Sequence, residues 1–208
     1  MNILLLSNPT PNNVLAQKIL ASHHCNNLFI QSNHPAAITV GTTVTINVND
    51  FAEVEAFCIA HQISLVVIHH IELLKNGLFD FLNDEQRKWK GIVTGCSKNV
   101  VTTNNTTGLA TLPIITDGKN YFVLIDTDTS VFESAIQNML LNFQQQSNAV
   151  NGFLQIDFEY NENTYFVKNI SPCLANEDAV LNNLETDLVS IFAAAYNGTF
   201  EDVNVEFN

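Results

Sequence analysis

The 208-residue sequence predicts an α/β fold, with a parallel sheet over its first half joined to a smaller α+β second half. Two observations carry that expectation. Up to Gly95, apolar runs of strand length alternate with amphipathic helical stretches, and the order strand, helix, strand, helix, strand is the signature of parallel strands joined by right-handed crossovers. Beyond that point the pattern changes to paired β runs around one long helix, with an Asn161-Glu162-Asn163 turn that reads as a hairpin.

Each element follows from its own residues. NILLL (Asn2 to Leu6) is the first strand, and after the loop SNPTPNN the segment VLAQKILASHH brings Val14, Leu15, Ile19 and Leu20 onto one helical face. NLFI (Asn27 to Ile30) is a second strand and TVTINV (Thr43 to Val48) contains a third. Asp50 then caps the helix FAEVEAFCIAHQ, because its carboxylate accepts first-turn N–H groups that have no partner inside the helix. SLVVI (Ser64 to Ile68), the helix IELLKNGLFDFLNDEQRK and the strand GIVTG (Gly91 to Gly95) complete the first half. Past the turn-rich VVTTNNTTG come TLPIITD, YFVLIDTD, the helix VFESAIQNMLLNFQQQ and the strands GFLQIDFEY and TYFVKNI. A last helix, LNNLETDLVSIFAAAYNG, ends at the C-cap Asn197-Gly198. The expected division is residues 1–98 and 99–208.

Composition narrows the function. A formal net charge of −13, with only eight Lys plus Arg, disfavours a nucleic-acid partner, since phosphate contacts need clustered cations. The longest apolar runs, ILLL and ISLVVI, fall far short of the ~20 residues of a membrane span, and MNILLLSNPT lacks the basic start and cleavage site of a signal peptide. A cytoplasmic protein without membrane partners is expected. Cys25, Cys58, Cys96 and Cys173 show no CxxC spacing, which points to reduced thiols and not to a zinc site or a disulfide framework.

Four stretches together resemble the phosphoribosylamine-glycine ligase family, ATP-grasp enzymes of purine biosynthesis. They are MNILLLSNPTPNNVLAQKIL, SLVVIHHIELLKNGLFDFL, NTTGLATLP and the run from VNGFLQIDFEYNENTYFVKNI to LETDLVSIFAAAYNGTF. The resemblance implies a Rossmann-like first half of the pre-ATP-grasp type and a second half like the C-terminal part of an ATP-grasp domain. It departs from the family in one large respect. GIVTGCSKNVV passes almost directly into TTNNTTGLA, where the family inserts its ATP-binding lobe, and the chain stops at VNVEFN, where the family continues into a further domain.

The resemblance also locates a degenerate metal site. In the family, a glutamate and an asparagine on the strand aligned with TYFVKNI hold Mg²⁺ against the ATP phosphates; these positions fall on Lys168 and Ile170, and the next arginine falls on Pro172. Magnesium takes oxygen ligands, and an ammonium about 4 Å from a dication is repelled by roughly 8 kcal/mol at an effective dielectric near 20. The ordinary role for Lys168 is a solvated strand lysine.

The remaining candidates sit where α/β sheets bind ligands, at strand C-terminal ends and helix starts. Asn8, Thr10 and Asn12 in SNPTPNN offer neutral hydrogen bonds in a loop that has lost the family's glycines and arginine; its ordinary role is a turn capped by Asn12 or Asn13. His69, His70 and Glu72 follow SLVVI, but adjacent residues leaving a strand point to opposite sides, so their ordinary role is that of loop histidines beside a helix. Asn105 and Thr106 retain part of a segment that contacts substrate in the family, and Glu185 and Asp187 read as helix-capping carboxylates. No catalytic residue and no metal are expected. The expected function is that of an inactive, trimmed relative with a metabolite-binding or regulatory role and no cofactor, its ligand a small phosphoribosyl or amino-acid compound. One alternative is a subunit of a split ligase, for which alone ATP and Mg would be cofactors. Another is a structural interaction module. The expected partner is a second copy of the chain, through apolar surface beside TLPII and SIFAAAY, or a purine-pathway protein.

Overall fold

The computed structural model describes residues 1–7, 13–31, 40–100, 110–146, 149–174 and 176–207. In the first half lie β1 (Asn2–Ser7), α1 (Val14–Ala21), β2 (Asn27–Gln31), β3 (Thr42–Val44), α2 (Phe51–Ala60), β4 (Ile63–His69), α3 (Ile71–Lys75), α4 (Leu78–Asn83) and β5 (Ile92–Cys96). The second half holds β6 (Ala110–Thr116), β7 (Tyr121–Val123), α5 (Glu133–Gln145), β8 (Val150–Asn161), β9 (Thr164–Ser171), α6 (Glu177–Asn183) and α7 (Leu188–Asn197).

All strands join one sheet, in the order β3-β2-β1-β4-β5-β8-β6-β7, with β9 also on β8. The first five strands are parallel, which gives the Rossmann-like half. β8 joins the halves, because its first residues pair antiparallel with β5 at Gly95↔Asn151 and Cys96↔Val150. Its later residues pair antiparallel with β6 on one side and β9 on the other.

The period of two along β1 explains the packing. Leu4 and Leu6 enter one apolar core with residues of α2, α3, α4 and α5, and Ile3 and Leu5 enter another with residues of α1, α6 and α7. A strand buried on both faces reads as a continuous apolar run, as ILLL does. Each core draws on both halves of the chain: Leu4 shares one with Ile156, and Leu5 shares the other with Phe153.

Several elements depart from the expectations. Leu20 is 44% exposed, and the face of α1 turned to the core carries Val14, Leu15, Ala16 and Ile19 instead. The helix expected from Ile71 onward is broken by Gly77 in the left-handed region (φ 89°), which separates α3 from α4. The last helix is likewise broken at Leu184, whose backbone is extended, and Asp187 caps a new start. The third strand is only Thr42–Val44. TLPII and SIFAAAY do not present the expected open apolar surface, since Leu112, Ile114, Ile115, Ile191 and Phe192 are buried; of the two segments' large apolar side chains only Tyr196 is exposed. The Asn161–Asn163 hairpin is present, with Glu162 and Asn163 both at positive φ, as a tight turn matched to strand twist requires. All four cysteines are free. Among the described residues no helix is long and apolar enough to cross a membrane.

Candidate functional site

The site lies on the sheet face covered by α1, α6 and α7, where the C-terminal ends of the parallel strands meet the antiparallel second half. Ser7 and His69 are neighbours in the β1–β4 register. Asn13 donates to the Ser7 hydroxyl at 3.3 Å while its own Oδ1 accepts from the Ala16 N–H at 2.8 Å, capping α1. His69 is not a loop residue: it is the last residue of β4, buried, with its Nε2 2.8 Å from Glu177 Oε2 in the first turn of α6. The His69 ring also meets Phe153 of β8 edge-on, at 6.1 Å between ring centroids.

On the far side of Phe153 a polar row crosses β6, β8 and β9. Thr111, Asp157 and Asn169 are register partners. Asp157 is buried, and its two oxygens accept from the Thr111 hydroxyl at 2.8 Å and the Asn169 amide at 3.1 Å. Thr111 and Asp157 of this row line a cavity of about 400 Å³, together with the described residues Pro113, Ile125, Gln155, Leu174, Asn176 and Val180. The segment that starts α6 therefore serves both places, since Asn176 lines the cavity and its neighbour Glu177 holds His69.

Of the two positions expected to replace metal ligands, Ile170 leaves this face, while Lys168 reaches Glu159, which lies two residues beyond Asp157 on the same side of β8. A register shift in β9 sets Val167 opposite Phe158 and Asn169 opposite Asp157, so that Lys168 is the extra, bulged residue. Lys168 is an ion-paired residue, not a freely solvated one, with its Nζ 3.7 Å from Glu159. Ile170 is buried in the opposite core with its partner Ile156. Asn169, between them, carries the polar contact, a consequence of the bulge that strict alternation hides.

Of the other candidates, His70 stands at the start of α3 with a buried Nδ1 that has no hydrogen-bond partner among the described residues. Glu72 is exposed and pairs with Lys75 at 3.0 Å. Asn8, Thr10, Asn12, Asn105 and Thr106 lie outside the described residues. Sequence reasoning found no partner for Asp157, because Thr111 lies 46 residues away along the chain. Cys173 lies next to the cavity segment, and burial, and then the Glu177 charge, push its thiol up to about 12 against a lowering contact from the Ile71 N–H. Among the described residues no three His, Cys, Asp or Glu side chains form a metal-binding group.

Residues 1–101 match the phosphoribosylglycinamide synthetase N domain. No curated protein is significantly similar in sequence. Solved structures share the fold. Phosphoribosylamine–glycine ligase from Thermotoga maritima superposes with a TM-score of 0.66 at 8% identity, over 95% of this chain and 76% of that one. Urea carboxylase from Kluyveromyces lactis gives 0.63 at 10% identity, over 100% of this chain but 23% of that one, so the chain spans about a quarter of that protein's length. Glycinamide-RNase-transformylase T from Mycobacterium tuberculosis gives 0.53 at 12% identity, over 95% of this chain and 79% of that one.

Proposed function

We propose, for a chain that residues 1–101 make a relative of phosphoribosylglycinamide synthetase, that it binds a small metabolite in the cavity beside α6 and does not carry out ATP-dependent ligation. Such a protein acts as a regulatory or sensing member of a purine-biosynthesis family, and fold likeness alone does not confer the reaction. The observation that supports this reading most directly is the β9 bulge. It sends Lys168 to Glu159 and Ile170 into the core, leaving Asp157 as the one ionisable side chain among the described residues that line the cavity. A magnesium-phosphate clamp needs more oxygen charge than that, because Mg²⁺ is held by carboxylates together with substrate phosphates.

The test is titration calorimetry of the full chain with Mg-ATP, alongside a ligase assay. No measurable binding and no glycinamide product are expected; micromolar binding or turnover would overturn the reading. A thermal-shift screen supplies the positive arm, since a ligand of the native state at 100 times its Kd raises stability by about 2.7 kcal/mol. A second reading, one subunit of a split ligase with ATP and Mg as cofactors, draws on the quarter of the Thermotoga maritima ligase that the chain does not span. Turnover on mixing with a separate ATP-binding chain would favour it.

A further inference from the structure

We propose that the cavity beside α6 takes a small organic cation, a primary ammonium on an apolar body, and discriminates against phosphorylated ligands. This rests on the reading of the cavity as a metabolite site and specifies the class of metabolite.

The charge of the lining decides the class. Among the described lining residues Asp157 is the only ionisable group, and none of the eight Lys and Arg side chains of the sequence is among them. The groups bound to Asp157, the Thr111 hydroxyl and the Asn169 amide, are neutral. A buried carboxylate is stable only when its charge is answered by hydrogen bonds or a countercharge. Here each oxygen has one neutral donor, whereas an ionised carboxylate has about four lone-pair sites. Acceptor capacity therefore remains on the cavity side, and the strongest group to fill it is a cation, whose hydrogen bonds to a carboxylate are about twice as strong as neutral ones.

The rest of the wall fits an ammonium on an apolar body. A primary ammonium, with three N–H donors, would find the Asp157 carboxylate with the polar Asn176 beside it, and Pro113, Ile125, Leu174 and Val180 supply an apolar wall for the attached body. About 400 Å³ lies within the range of small-molecule sites. A phosphate ester meets the opposite conditions: a carboxylate, no cation among the described lining residues, and a molecule of net charge −13.

The experiment is calorimetric titration of the full chain with tyramine, histamine and agmatine as cations, and with 4-hydroxyphenylacetate, AMP and ribose 5-phosphate as anions. At least one amine is expected to bind saturably, and every anion at least tenfold more weakly. Asp157→Asn should weaken the amine tenfold or more. Asn176→Lys, at an exposed position, places a cation at the rim without disturbing the core; it should weaken the amine and strengthen AMP, and it decides the matter if Asp157→Asn fails to fold. Amine binding unchanged in Asn176→Lys overturns the proposal. Anions binding as tightly as the amines also overturn it, while leaving the metabolite-site reading in place. Binding of none of the six compounds removes the proposal, and a blank in the wider thermal-shift screen removes the reading beneath it.

Discussion

Asp187 shows what a single carboxylate contributes to this molecule. It caps α7, accepting from the Val189 and Ser190 N–H groups at 2.9 and 3.1 Å, and it also accepts from the Ser22 hydroxyl at 2.9 Å and sits 3.0 Å from His23 Nδ1. Burial pushes its carboxyl up, but the donors from Ser190, Ser22 and Val189 and the nearby imidazole outweigh that and hold it below the ordinary carboxylate range. A depressed folded value stabilises the protein above the unfolded pKa, near 3.9 for an aspartate, and that stabilisation disappears as pH falls through the lower folded value. Asp187→Ala is therefore expected to cost about 1–2 kcal/mol in urea unfolding at pH 7, with the gap to wild type closing as the titration is repeated below about pH 4. A gap that stays constant to pH 2 would assign the loss to packing. The capping role of Asp187 was legible in LETDL, although the break that makes it a helix start was not. Its hold on α1 was not legible, since Ser22 lies 165 residues away. A separation of 46 residues likewise hid the Thr111–Asp157 contact, whereas His69 was visible as a candidate only through its place at a strand end.

Elements depend on contacts of this kind more than on their own propensity. α6 has seven residues, too few to be stable alone in water. It is held by Val180 and Leu181 in the core, by Glu177 on His69 and by the Lys18 ammonium donating to the Leu184 carbonyl at 2.6 Å. Glu177→Ala leaves the buried His69 Nε2 without its partner, at a cost of about 1–3 kcal/mol. Hydrogen exchange across residues 177–183 should speed up before the rest of the sheet responds; uniform exchange would show that α6 is not held locally. β9 offers a sharper case. Its bulge contains one residue more than the ladder needs, so deleting Lys168 restores an unbroken pairing and forfeits only a partly exposed ion pair, worth about 0–1 kcal/mol. Deleting Val167 instead draws Lys168 into a place against the core, where Val167 now packs, and should cost several times more because a charge is desolvated. Chemical denaturation of the two deletions side by side decides it, and equal losses would contradict the bulge. The boundaries of α3, α4, α6 and α7 were illegible for a related reason: a helical period runs through IELLKNGLFDFL and LNNLETDL, and tertiary packing, not the period, chose Gly77 and Leu184 as the breaks.

At the scale of the whole molecule, the fold class was readable from the alternation of runs, but the joint between the halves was not. Nothing in GIVTG or VNGFL announces that Gly95 pairs with Asn151. At this joint Gly95 has φ +144° and lies close under α3, where a Cβ would stand 2.7 Å from Leu74 Cδ2. Through that joint each apolar core takes residues from both halves. Phe153 is the clearest bridge: it lies on β8, packs edge-on against Phe192 of α7 at 5.4 Å between centroids and against His69 of β4 at 6.1 Å. If the two halves stabilise one another through these cores, heat should unfold residues 1–98 and 99–208 in a single cooperative transition, with calorimetric and van't Hoff enthalpies equal. Phe153→Ala should lower that one transition by about 3–5 kcal/mol, the usual cost of removing a buried aromatic ring, and should leave it single. Tryptophan fluorescence gives the independent probe, because Trp89 belongs to the first half and donates its indole N–H to the Ile63 carbonyl at 2.7 Å. In the variant, fluorescence and far-ultraviolet circular dichroism should still melt together. A fluorescence transition that stays at the wild-type temperature while the circular dichroism falls earlier would mean that the first half stands alone and that the shared cores do not couple it to the second.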